Sequence, residues 1–113
     1  MTKSIKFRHQ YHKLASREFT TIRGAAQFKR LKVGELVHVE TPDENFDATI
    51  IVLELRRVQS MAVDFLNSDA GYPGFVVTSQ DDFINLLNTF RAPMWTQVQL
   101  DSELTVITLR KCL

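Results

Sequence analysis

The sequence predicts an α+β domain: four to six mostly antiparallel strands, curled or closed into a small β-barrel, with two or three short helices between them. Three observations carry this. Segments rich in β-branched residues or alternating with period two recur along the chain, at "GELVHVETP", "FDATIIVLELRRV" and "ELTVITLRK". One later segment, "SQDDFINLLNTF", has the apolar spacing of an amphipathic helix. So many short strands would leave open edges unless the sheet curls on itself.

In chain order, "EFTTIRG" (Glu18 to Gly24) reads as a strand stopped by glycine. In "GELVHVETP", Val37 and Val39 alternate with His38 and Glu40, and Thr41-Pro42 ends a half-buried strand. "FDATIIVLELRRV" sets Phe46, Ala48, Ile50 and Val52 on one face and Ile51, Leu53 and Leu55 on the other, as in a central strand covered on both sides. The "PDEN" between the two runs makes them a hairpin. In "SMAVDFLNSDAGYPG", Ser60 is the expected N-cap of a helix that Gly71 ends, and Tyr72-Pro73-Gly74 is turn chemistry. "FVVTS" reads as a short strand. In the next helix Ser79 is the expected cap, Asp81 and Asp82 suit the positive first turn, and Phe83, Leu86, Leu87 and Phe90 share a face. "RAPMW" leads out through Pro93, and "ELTVITLRK" closes the domain with apolar side chains on both faces.

The chain of 113 residues fits one domain, residues 1–113, and its 44% hydrophobic and 24% charged content is that of a soluble globular protein. Its richest apolar run, "IIVL" (Ile50 to Leu53), falls far short of the roughly 18 residues of a membrane span. With no apolar signal-peptide core at the N-terminus, a cytoplasmic location and no membrane partner are expected. The single cysteine, Cys112, excludes an intrachain disulfide. No cofactor is expected. His9 and His12 have ligand spacing, but no cysteine or acid cluster joins them, so no metal is expected either. Charge is unevenly spread: residues 1–33 hold nine Lys or Arg against Glu18 alone, net +8, and the remaining 80 are net −7. The basic third either folds into an anion-attracting face or pairs with the acidic remainder.

The chemistry concentrates in "EFTTIRG". Period two puts Thr21 and Arg23 on one face, roughly 7 Å apart, where a planar guanidinium and a hydroxyl could flank one small ligand. Glu18, Thr20 and Ile22 point the other way. "FRAPMW" adds Arg91 and Trp95, either a stacking pair for a base or core residues beside a proline.

"SREFTTIRG", followed about ten residues later by "LKVGELVHV", resembles the signature of ASCH domains, members of the PUA-like β-barrel superfamily. The resemblance extends over roughly residues 5–111, through a long strand, two helical segments and a closing strand of the "TVITLRK" kind. The family motif reads G-x-K-x-x-E-x-R; here Ser16, Glu18 and Thr21 stand at its Gly, Lys and Glu, and Arg23 is retained. One branch with Lys-x-x-Thr-x-Arg hydrolyses the amide of acetylcytidine through the lysine, the threonine and a later glutamate. Thr21 and Arg23 fit that branch; Glu18 reverses the charge at its lysine, and Lys13 is too distant in sequence to be expected in its place. In the later helical region the acids are Asp64 and Asp69. The resemblance implies a cleft between barrel and helical insertions that binds RNA or a nucleotide- or nucleoside-type ligand. Its floor would be Thr21 and Arg23, edged by Thr20 and Glu18, with Asp69, Tyr72, Arg91 and Trp95 as walls. The alternative is a hydrolase, acting on an acylated nucleoside or on RNA, in which Thr21 and Glu18 are the catalytic candidates. A third reading is a small interaction domain in which Arg23 is only structural.

Overall fold

The computed structural model describes residues 3–7, 9–90 and 98–112. Five strands form one mixed sheet: β1 (Lys3–Lys6), β2 (Glu18–Gly24), β3 (Leu36–Glu40), β4 (Asn45–Arg57) and β5 (Glu103–Lys111). Their spatial order is β1-β3-β4-β5-β2; β1 runs parallel to β3 and the other three pairings are antiparallel. Three helices complete the described fold: α1 (Gln27–Arg30), α2 (Val63–Ala70) and α3 (Gln80–Phe90), with 3-10 turns at His12–Ala15 and Val58–Ser60. "RAPMW", with Arg91 and Trp95, lies outside the described residues. Among those described, no helix is long and apolar enough to cross a membrane.

Alternation along β5 explains the two-sided core. Ile107 and Leu109 face the inside of the curled sheet, in one cluster with Ile5, Phe19, Val37, Val39, Ala48 and Ile50. Leu104 and Val106 face the helices, in a second cluster with Ile22, Met61, Leu66, Phe83 and Leu86. All five strands contribute to the first cluster, so the sheet bends around it. Its two edges, β1 and β2, come close enough for Arg23 Nη2 to donate to the Lys6 carbonyl at 3.0 Å. A gap of about 120 Å³ persists between them, lined by Lys3, Ile5, Arg23, Gln27 and Arg30 among others. The architecture is therefore a strongly curled half-barrel.

Several local expectations are corrected. Val52 does not face inward with Ile50: the β4–β5 register shifts between these residues, and the extra residue reverses the period-two phase. Val52 is 44% exposed, whereas Leu53 packs on the inner cluster. Leu55 also remains 39% exposed, so β4 is covered on both sides only over part of its length. Ser60 does not cap α2. It belongs to the 3-10 turn, donates its hydroxyl to the Arg57 carbonyl, and leaves Ala62 at the N-cap. "FVVTS" is not a strand. The Tyr72–Phe75 turn closes on itself, with Gly74 at φ 89°, and the next amides are taken by side chains: Val77 by Asn67 Oδ1 and Thr78 by Asp82 Oδ2. Ser79 does cap α3, its Oγ accepting from the Asp82 amide at 3.1 Å.

Candidate functional site

β2 ends the sheet, and its free edge faces α2 and the N-terminal 3-10 turn. An edge strand can present side chains from both of its faces to the same space, and here it does. A cavity of about 110 Å³ is lined by Thr21, Ile22 and Arg23 from β2, Lys6 and Phe7 at the end of β1, and Tyr11 and Lys13 around the 3-10 turn. Asp69 and Ala70 come from the end of α2, and Phe83, Leu86 and Leu87 from α3.

At its centre is a buried ion pair. Lys13 Nζ donates to Asp69 Oδ1 at 3.2 Å, with both side chains only 6% exposed. Thr20 Oγ1 donates to the same carboxylate oxygen at 2.7 Å. Arg23 Nε donates to Thr21 Oγ1 at 3.1 Å, bearing out their shared face. Both cations approach the Phe7 ring, Lys13 at 5.0 Å and Arg23 at 5.1 Å from its centroid, and Lys13 lies 5.2 Å from that of Tyr11. Burial pushes the Lys13 ammonium below its usual pKa, outweighing the attraction of Asp69; the Arg23 charge nearby adds to the depression. Burial likewise lowers Arg23, against the attraction of Asp69.

The chain thus brings Thr20, Thr21, Arg23 and Asp69 together. Glu18 does not line the cavity. It is the cross-strand partner of Arg110 and pairs with it at 2.9 Å on the exposed face. Tyr72 stands behind the wall instead of forming it, stacked between His9 at 4.0 Å and Phe75 at 5.1 Å and meeting Tyr11 edge-on. Arg91 and Trp95 lie outside the described residues.

Lys13 is the residue that sequence reasoning left out. Its backbone enters between Tyr11 and Leu14, both buried, which anchor one 3-10 turn and tip the lysine inward. Those two apolar residues, three apart, were the available signal. Part of the basic N-terminal third is paired across the fold, Lys3 with Glu35 at 3.0 Å and Lys6 with Glu40 at 3.6 Å. Among the described residues, no three His, Cys, Asp or Glu side chains gather as a metal site.

The fold and site define a half-barrel domain with a charged cavity at its open edge. Over 88 residues the chain is 38% identical to a protein of Methanocaldococcus jannaschii named "Uncharacterized protein MJ0364", covering 76% of this chain and 77% of the relative. The chain belongs to the family of that archaeal protein. No protein-family model matches the sequence, and no solved structure matches it.

Proposed function

We propose that the chain is an ASCH-like domain of PUA-like architecture that binds RNA or a nucleotide- or nucleoside-type ligand at the free edge of β2. The observation that carries this reading is the convergence of Lys13, Thr21, Arg23 and Asp69 on one cavity edged by Phe7 and Tyr11. Hydroxyl, guanidinium, ammonium and carboxylate together supply donors and acceptors for a base edge or sugar. A cytoplasmic setting, with RNA or a nucleoside as partner, belongs to the same reading. Thermal shift against nucleosides, nucleotides and short single-stranded RNAs tests it. A ligand-dependent rise in Tm that disappears in Arg23→Ala is expected; no shift with any of them would sink it.

A second reading, hydrolysis of an acylated nucleoside, is favoured by one specific observation. Lys13 supplies from the turn before β2 the amino group that Glu18 cannot supply on the strand, and the Asp69 carboxylate stands beside it. Thr21 Oγ would add to the acyl carbon, its proton passing to the neutral amine of Lys13. The base amine would then leave with that proton, returned by Lys13, and water would release the acyl group from Thr21 as the carboxylic acid. The depressed Lys13 pKa raises the fraction of neutral amine available. Deacylation of acetylcytidine should vanish in Thr21→Ala and return in Thr21→Ser. Equal turnover in Thr21→Ala would exclude this role for the threonine.

A further inference from the structure

Charge is not balanced inside the cavity. Lys6 points largely to solvent and is paired with Glu40, so among the described residues the inner charges are Lys13, Arg23 and Asp69. Two cations face one carboxylate. Asp69 is committed to Lys13, while Arg23 directs Nε and Nη2 to neutral oxygens, those of Thr21 and the Lys6 backbone. Among the described residues no carboxylate lies within ion-pairing distance of the guanidinium. The two cations repel each other, and both lie against the face of Phe7. Half-buried Arg23 has only the longer-range attraction of Asp69, which Lys13 already engages, and a ligand that brings a negative charge offsets that imbalance.

Size narrows the chemistry further. A cavity of about 110 Å³ has room for several water-sized groups, one water needing roughly 10–15 Å³ on the same measure, and lies below the roughly 300 Å³ at which drug-sized sites begin. A phosphate or carboxylate fits within it, and a larger ligand extends from it onto the rim. We propose that the cavity takes its ligand by a single negatively charged oxyanion group, seated between Arg23 and Lys13, with the rest of the ligand outside on the rim. The proposal rests on reading this cavity as the ligand cleft, and it adds the charge and size of the part that enters.

The test is calorimetric titration at low and at physiological salt with cytidine, cytidine monophosphate, inorganic phosphate, acetate and uncharged acetamide. Cytidine monophosphate should bind about tenfold or more tightly than cytidine. Phosphate or acetate should compete with it, and acetamide should not; whichever ion competes better separates a tetrahedral from a planar headgroup. The advantage should disappear in Arg23→Gln and Lys13→Gln, and survive in Arg23→Lys and in the distant control Arg110→Gln. Should Lys13→Gln fail to fold, the comparison of Arg23→Gln with Arg23→Lys decides alone. Equal affinity for cytidine and its monophosphate overturns the charge proposal and leaves the nucleoside cleft standing. Phosphate binding with no gain from the nucleoside supports the charge proposal and removes the nucleoside reading. No binding in any arm overturns both.

Discussion

Lys13 and Asp69 form a buried ion pair, so the energetics of the two side chains are bound together. Each is nearly dry, so removing either leaves a buried charge with too little compensation. Lys13→Met should cost about 3–5 kcal/mol in urea unfolding, and the double variant Lys13→Met/Asp69→Leu should recover much of that loss. Additive losses would mean the pair is not coupled. The pH dependence follows from the direction of the shift. Folding lowers the Lys13 pKa below 10.5, so between the two values the unfolded chain holds more protons. Lys13 thus makes the native state gain stability as pH rises from its lowered folded pKa toward 10.5, and Lys13→Met should remove that rise. Thr21 and Arg23 were readable from period two alone, because the strand supplies the geometry without help from elsewhere. Lys13 was not, because its position depends on a turn docking against α2, which local pattern does not encode.

At the scale of elements, α3 starts where its sequence says it should. Ser79 accepts from the Asp82 amide, and the Asp82 carboxylate accepts in return from the Thr78 amide and hydroxyl. Ser79→Ala should therefore cost about 1 kcal/mol. These bonds hold Asp82 below its usual 3.8, so its contribution is complete above that value and is lost as pH falls through the lower folded value. Asp82→Asn should remove that share of the acid sensitivity seen in a melting series. Gly71, which caps the end of α2, leaves no room for a side chain: a Cβ there would stand 2.7 Å from the Asn67 carbonyl oxygen, a backbone atom with little room to yield. Gly71→Ala should cost about 1–3 kcal/mol by overpacking, read by the same denaturation midpoint. The strands with clear alternation, β2, β3 and β5, were legible. β1 was not, since "KSIK" has one buried residue and gains its place only by pairing parallel to β3. The β4 bulge was hidden for a related reason: an unbroken apolar run reads the same in either phase.

For the whole molecule, the decisive feature is that the sheet nearly closes and does not. β4 and β5 share the longest ladder, from Ala48–Lys111 to Arg57–Glu103. β1 has a backbone ladder only to β3. Across the seam, side chains do the joining: Arg23 to the Lys6 carbonyl, and Lys3 to the Arg30 carbonyl. Local opening should therefore begin at β1, and amide exchange at Ile5 and Lys6 should be much faster than at Ile50 or Ile107. Arg23 borders both the seam gap and the charged cavity, so whatever fixes its guanidinium acts on both. Saturating cytidine monophosphate should slow exchange at Ile5 and Lys6 together with β2, and leave the interior of β4 unchanged. Arg23→Gln should speed exchange in β1 without ligand and abolish the ligand's effect there. If β1 proved as protected as β4 from the start, the sheet would behave as a closed barrel in solution, and Arg23 would be free to serve the ligand without also holding the edge.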